Sequence, residues 1–226
     1  MKSRATAMFL ALLIAFSAFG AITAQAQTDV TVQASTLTLG YMNVFNLPAP
    51  DGDGAFQWGS GWGIPDLVAT FAGDDVTLSP NTIGDPDPYW YIGGGGPGAP
   101  GNKIMEANLY GEDVGGALAG QTVSFSGIVL ANSFTSAHTV KAFVKDYAGD
   151  FSSYVESSVT LSATGLFSVS LATINDPARH IQWGLQTVGV NVWVTDTAPF
   201  GSMTIGPNPA VGNETMTFGS VKELYR

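Results

Sequence analysis

Apolar and polar residues alternate with a period of two along most of the chain. In one segment Val123, Phe125 and Val129 alternate with Ser124 and Ser126. This alternation predicts strands that turn one face to a core and the other to solvent. The pattern recurs at residues 37–41, 105–109, 140–144, 155–161, 167–171, 181–185, 190–194 and 200–206. No stretch after residue 30 keeps a 3.6-residue period, so the sequence predicts an all-β fold of about nine strands, an antiparallel, jelly-roll-like β-sandwich.

Two segments interrupt the alternation. Residues 47–62 and 80–103 are rich in Gly and Pro, which are uncommon inside central strands. We expect both segments to be long loops at an edge or end of the sandwich, where binding residues are often found. The alternative is that they are simple connectors, with aromatic side chains that attach them to the sheet.

The first 26 residues have the features of a signal peptide. Lys2 and Arg4 precede an apolar run over residues 7–22, and Ala24 and Ala26 form a small-x-small cleavage site. The competing interpretation, a membrane anchor, requires a longer run with a positive flank after it. The sequence therefore predicts cleavage after Ala26 and a secreted protein, located in the periplasm, outside the cell or on its surface. No later segment is apolar for long enough to span a bilayer.

The rest of the chain divides near residue 206. Residues 27–206 contain the alternating pattern and fit one sandwich domain. Residues 207–212 are a predicted linker, and residues 213–226 are a predicted C-terminal tail. In the tail, Ser220 and Glu223 have the spacing of a capping box, which predicts one helical turn that needs a surface to dock on. A frayed end is the alternative.

Composition narrows the range of partners. The chain has 8 Lys and Arg against 18 Asp and Glu, and without Lys2 and Arg4 the count is 6 against 18, a net charge of −12. Such a charge disfavours nucleic acid and anionic membrane surfaces. The chain has no cysteine, which excludes disulfides, thiolate metal sites and thiol catalysis. Its stability must therefore come from packing and from any cations that it binds.

The sequence contains no recognisable catalytic constellation. His138 and His180 are the two histidines, and no Gly-x-Ser-x-Gly elbow accompanies them, so a Ser-His-Asp triad is not indicated. Jelly-roll glycosidases need two carboxylates that face one cleft. Glu106 is a candidate for one of them, but Asn108 and Tyr110, which follow on the same face, supply no second acid. We therefore expect the protein not to be an enzyme.

Two pairs of aspartates mark turns. Asp51 and Asp53 alternate with glycine, and Asp85 and Asp87 each precede a proline. Carboxylates in turns are typical ligands of hard cations such as calcium, so these four residues are candidate calcium ligands. Asp-Gly and Asp-Pro are also ordinary turn formers, and the later ligands of an EF-hand loop are missing. Calcium is the one cofactor that the sequence suggests.

Aromatic residues give the densest functional signal. They lie in or beside the two interrupting segments, at Trp58, Trp62, Tyr89, Trp90 and Tyr91. Indole and phenol rings stack on the C–H faces of sugars, while nearby amides and carboxylates bind the hydroxyls. We expect these rings to form an exposed face that binds a neutral glycan or a surface polysaccharide. For Trp62 the alternative is a place in the core.

Part of the chain resembles a known family. Leu118, Gly120, Val123 and Phe125 match the Leu-x-x-Gly-x-x-Tyr/Val-x-Phe strand of the CenC-type carbohydrate-binding jelly-roll modules. Residues 180–205 are similar to the strand pair that closes the sandwich in that family, so the resemblance covers about residues 37–206. It implies a jelly-roll fold and glycan binding. The acidic pair that these modules often carry before the final strand is missing, since Asp196 is followed by Thr-Ala-Pro.

Two hypotheses for the function follow. The first is a secreted, non-catalytic carbohydrate-binding module. The second is a structural or adhesive subunit of a surface assembly, which joins copies of itself through an edge strand or through its tail. Retention on an insoluble polysaccharide is expected of the first, and self-association that rises with concentration is expected of the second.

Overall fold

The computed structural model describes residues 25–211, which form fourteen strands and two short 3₁₀ turns, Ile64–Leu67 and Ala198–Phe200. The strands, numbered in chain order, are β1 Gln27–Thr31, β2 Leu39–Asn46, β3 Phe56–Gly61, β4 Ala69–Ala72, β5 Asp75–Leu78, β6 Thr82–Ile83, β7 Lys103–Asp113, β8 Thr122–Asn132, β9 His138–Tyr147, β10 Tyr154–Leu161, β11 Gly165–Ala172, β12 His180–Val190, β13 Val192–Trp193 and β14 Met203–Gly206. The predicted all-β class is confirmed.

Twelve of these strands form two sheets. Sheet B has the order β10-β9-β12-β7-β2-β3 and is antiparallel throughout. Sheet A has the order β1-β8-β14-β5-β4, and β11 also pairs with β8. Because β1 and β11 pair with the same stretch of β8, they lie along its two opposite edges. The pairings of β1 with β8 and of β6 with β13 are parallel.

The core lies between sheets A and B. In β7 the odd residues Met105, Ala107 and Leu109 are buried in it, and the even residues occupy the opposite face of sheet B. The fully buried core side chains include Met42, Val44, Met105, Val140, Ala142 and Val144 from sheet B and Val76, Val123, Phe125 and Ile205 from sheet A. Each such burial contributes about 1.5–3 kcal/mol for a side chain of the size of Val or larger. Packing therefore holds this cysteine-free domain together.

Several strands differ from the prediction. β3 lies inside residues 47–62, so the expected loop is wrong for residues 56–61; glycines are tolerated there because β3 is an edge strand. β1, β5 and β6 are not predicted, because five residues or fewer give too little alternation to recognise. The expected strands at 181–185 and 190–194 are instead the long strand β12 followed by the two-residue β13.

The predictions for the two ends fall mostly outside the described residues. Most of the predicted signal peptide and the whole tail, 213–226, lie outside residues 25–211. In the predicted linker, the Asn208 N–H donates to Thr31 Oγ1 (2.6 Å) and its Nδ2 to Ser126 Oγ (3.2 Å). The chain thus stays in contact with the sandwich to at least residue 208. Between residues 25 and 211, the structure has no helix with the length and hydropathy required to cross a membrane.

Candidate functional site

A groove crosses the face of sheet B that points away from the core. Its volume is about 480 Å³. It is lined by Tyr41, Asn43, Asn108, Tyr110, Glu112, Lys145, Tyr147, Phe151 and Gln182. Eight of these nine side chains belong to four neighbouring strands, β2, β7, β12 and β9, and Phe151 belongs to the turn after β9. Since neighbouring strands lie about 4.8 Å apart, the four strands span about 14 Å.

Strand register brings the polar residues of this groove side by side. Asn108 on β7 lies opposite Tyr41 on β2 and Gln186 on β12. Gln182, four residues before Gln186 on the same face of β12, lies opposite Glu112 on β7 and Lys145 on β9. Each side chain projects to the same face because the residues on one face of a strand recur every second position.

The carboxylate of Glu106 lies beside two residues that line the groove, Asn43 and Asn108. The Asn43 Nδ2 donates to Glu106 Oε1 at 2.9 Å, and the Asn108 Nδ2 lies at 3.5 Å from the same oxygen. Asn108 Oδ1 in turn accepts from Gln186 Nε2 at 3.0 Å. These bonds join the three neighbouring strands β2, β7 and β12 and fix the orientations of the amides.

A second carboxylate, Glu112, lies further along the same face of β7. Its Oε1 accepts from Gln182 Nε2 at 2.9 Å and lies 3.2 Å from His180 Nδ1. The side chains of His180 and Glu112 are 22% and 15% exposed, so solvent reaches both. Glu112 thus lines the groove and Glu106 lies beside it, and each carboxylate is held by an amide partner.

The groove ends in an aromatic wall of Tyr147, Phe151, Tyr154 and His180. The Tyr147 ring centroid lies 4.9 Å from that of Tyr154 and 5.6 Å from that of Phe151, and Phe151 lies 4.4 Å from His180. Burial, together with the nearby Tyr154 and Glu156, raises the pKa of Tyr147 to about 12, so its hydroxyl keeps its proton. The backbone of Phe151 has φ = +58°, a left-handed conformation that is costly for a bulky residue and is commonly kept at functional sites.

Lys145 forms part of the floor beside this wall. Its Nζ lies 4.3 Å from the Phe143 ring centroid and 4.0 Å from Glu156 Oε2. Burial lowers the pKa of Lys145, and the charges of Glu156 and Glu106 oppose that shift. The ammonium is thus a desolvated hydrogen-bond donor next to the rings.

Two glycines make room for the tyrosine rings. A Cβ at Gly184 on β12 would lie 2.8 Å from both the Cα and the Cβ of Tyr110, its neighbour on β7, and a Cβ at Gly59 on β3 would lie 2.8 Å from Cε1 of Tyr41. Contacts this short do not occur between real side chains. The absence of a side chain therefore leaves room at Gly184 for the Cα and Cβ of Tyr110, and at Gly59 for the ring of Tyr41.

Four of the five predicted aromatic ligands form one cluster on the opposite face of sheet B. Trp58 lies opposite Val44, whose side chain is in the core. Its ring is edge-on to Trp90 at 5.9 Å and stacked on Trp62 at 6.5 Å, and its Nε1 donates to Tyr89 Oη at 2.9 Å. The three tryptophans pack against the core, and Tyr89 is 36% exposed. The cluster attaches the loop to β3; glycan binding by it stays a prediction.

Tyr91 does not join this cluster, so its expected place on an exposed face is wrong. Its side chain is 0% exposed. The hydroxyl donates to the carbonyls of Ile83 and, at 3.0 Å, Val192, and the ring is edge-on to Trp193 at 5.4 Å. Tyr91 anchors the glycine-rich loop to β6 and β13, which is a structural role.

The predicted calcium ligands lie in exposed turns. Asp53 Oδ1 accepts from the Ala55 N–H at 2.9 Å, and this bond is the main cause of the lowered pKa of Asp53. Asp85 and Asp87 each accept the N–H of the residue two positions on, at 3.0 and 2.7 Å. In residues 25–211 no group of three or more His, Asp or Glu is placed to hold a metal ion. Calcium binding by Asp51, Asp53, Asp85 and Asp87 stays a prediction.

The groove is not among the features predicted from the sequence, although the sequence carries a signal for it. From residue 106 onward, the even residues of β7 are Glu106, Asn108, Tyr110 and Glu112. As far as Tyr110, this face has one acid, Glu106, and the next residue on it, Glu112, is the second. An outward face of carboxylates, amides and phenols on a central strand is the pattern that marks the site.

No protein-family model matches the chain, and no curated protein matches it. Two solved structures do. One is the CBM22-2 xylan-binding domain of Paenibacillus barcinonensis Xyn10C, at 12% identity and a TM-score of 0.25, over 47% of this chain and 76% of that one. The other contains the CBM22-1 and GH10 modules of Clostridium thermocellum xylanase 10B with xylohexaose, at 12% identity and a TM-score of 0.25, over 52% of this chain and 23% of that one.

Both solved structures contain carbohydrate-binding modules, the class of protein that the sequence resembles. At this identity and TM-score, the similarity carries no argument about the ligand of this chain. The case for a ligand rests on the groove.

Proposed function

We propose that this protein is a secreted, non-catalytic carbohydrate-binding module that holds a glycan in the groove of sheet B. The observation that carries the proposal is the groove's composition: Tyr41, Tyr110 and Tyr147 lie among the amides of Asn43, Asn108 and Gln182. Phenol rings stack on the C–H face of a sugar, and amides and carboxylates bind its hydroxyls. The four strands give this site a width of about 14 Å.

Charge on the groove face favours a neutral glycan. Glu106, Glu112 and Glu156 lie on this face together with Lys141 and Lys145, so the local charges nearly balance. The chain as a whole carries 18 acidic against 8 basic residues, which repels polyanionic polymers. A neutral polysaccharide is not repelled by this charge.

The test is affinity electrophoresis and calorimetry of the protein on a panel of neutral polysaccharides, with Tyr110→Ala and Tyr147→Ala as groove variants. The matched control is Tyr89→Ala, which removes a part-exposed phenol from the opposite face of sheet B. A stacking contact contributes about 1 kcal/mol, so each groove variant should weaken binding about fivefold. The control should bind as the wild type does.

Each other outcome has a clear meaning. If the wild type binds no glycan, the proposed function is wrong. If Tyr89→Ala loses binding while both groove variants keep it, the ligand site is the cluster of Trp58, Trp62, Tyr89 and Trp90, as the sequence predicts. Melting temperatures of all variants show whether a loss of binding reflects a loss of folding.

A further inference from the structure

One side of the sandwich is almost free of charge. It consists of residues 154–172, which contain β10, β11 and the turn between them, and Glu156 is their one charged residue. β10 is an edge strand of sheet B, and β11 is an edge strand of sheet A. Each has eight residues and no proline. In the chain as a whole, 12% of residues are charged, so this side has a smaller share of charged residues than the rest.

The other edges carry the features that block pairing between molecules. β4 has four residues, and β1 has five, including Asp29. β3 contains Gly59 and Gly61, and its pairing with β2 shifts register between Val44 and Phe45. Short length, charge and bulges are the common means by which edge strands avoid association. Among the described strands, β10 and β11 are edges of eight residues with no register shift in their pairing, and Glu156 of β10 is their one charge.

β10 also exposes apolar side chains on both faces of the sheet. Tyr154 is 53% exposed and Val155 is 43% exposed. In the described part of the chain β10 pairs with β9 alone. Every second N–H and C=O of β10 therefore points away from the sheet without a strand partner.

We propose that β10 pairs antiparallel with β10 of a second copy of this chain. The two copies are then related by a two-fold axis, and their two sheets B join into one continuous sheet. The second copy is favoured as the partner because residues 154–172 avoid the charge repulsion that two acidic chains meet at most of their surfaces. These residues bring one carboxylate, Glu156, which already lies 4.0 Å from Lys145 of its own chain. β11 exposes one large apolar side chain, Leu166, and is therefore less favoured than β10 as the edge that pairs with a second copy.

The dimer would align two grooves. Tyr154 of the aromatic wall and Glu156 both lie on β10, so the groove of each copy ends at the shared edge. The inference does not depend on glycan binding, and its test uses no glycan.

Sedimentation velocity and light scattering of the purified protein, over a wide concentration range, test the proposal. We expect the wild type to reach twice the mass of one chain as concentration rises. The double variant Val155→Lys, Ser158→Lys brings four lysines to the shared edge of the two copies and should weaken dimerisation at least about tenfold. The matched control, Thr70→Lys and Ala72→Lys on the edge strand β4, changes the net charge equally and should dimerise as the wild type does.

A monomeric wild type at the highest soluble concentration overturns the proposal. A dimer that the β4 control variant disrupts also overturns it. The same holds if Ser168→Lys with Ser170→Lys on β11 disrupts the dimer and the β10 variant does not. Hydrogen exchange of the unmodified protein adds a measurement that needs no variant. Those amides of β10 that point away from β9 should become at least about tenfold better protected at high than at low concentration, and unchanged protection contradicts the pairing.

Discussion

A buried ion pair behind the aromatic wall offers the sharpest test of how the fold supports the groove. Asp146 and Arg179 are the neighbours in sequence of two wall residues, Tyr147 and His180. The carboxylate of Asp146 is 0% exposed and accepts from Arg179 Nε, and its Oδ2 accepts the Ile174 N–H at 2.8 Å. Arg179 Nη2 also donates to the Asp146 carbonyl at 2.8 Å. The pair thus ties the end of β9 to the start of β12.

Replacing Arg179 by Met leaves a buried carboxylate with one main-chain N–H as its partner. Removal of one member of a buried pair costs about 3–5 kcal/mol, a large share of the stability of about 5–15 kcal/mol expected for a domain. At about 2–4 °C per kcal/mol for a domain of this size, the melting temperature should fall by about 6–20 °C. We therefore expect Arg179→Met to be severely destabilised but still folded at low temperature.

Calorimetry and urea unfolding of a double-mutant cycle measure this effect. The cycle comprises the wild type, Arg179→Met, Asp146→Asn and the double variant. The double variant should regain most of the lost free energy, because the Asn carbonyl oxygen keeps the Ile174 bond and no buried charge remains. If Arg179→Met costs less than about 1 kcal/mol, or if the double variant is no more stable than Arg179→Met, the charge of Asp146 is compensated elsewhere and the reasoning is refuted.

Two further predictions concern pH and metal. Burial holds the pKa of His138 below its ordinary value of 6.5. The unfolded chain therefore takes up a proton at a higher pH than the folded chain does. The free energy of unfolding should be level above about pH 6.5 and fall as the pH drops below it. In His138→Gln, urea unfolding from pH 5 to 8 should lack this fall, and an unchanged fall contradicts the assignment. If Asp51, Asp53, Asp85 and Asp87 bind calcium, as the sequence predicts, a chelator should lower the melting temperature by several degrees and added calcium should restore it; a melting temperature that neither treatment changes contradicts the prediction.

Much of the fold follows from local pattern. In β8, Val123 and Phe125 alternate with Ser124 and Ser126, and alternation requires only that one face be buried. Short or glycine-rich strands escape such an analysis. β3 is a strand because β2 provides a partner for its backbone, not because of its own residues.

The sequence by itself determined that the chain is an all-β protein of acidic charge, without cysteine, and rich in aromatic residues near its loops. It also determined which residues of each long strand share a face, since that follows from the period of two. Which strands are neighbours was decided only by the tertiary structure. Glu106, Asn43 and Gln186 lie far apart in the chain, and the order β2-β7-β12 brings their side chains together. The register of β3 on β2 placed Trp58 and Tyr41 on opposite faces of sheet B. Pairing across strands, which no local pattern encodes, assigns each face to the core or to solvent.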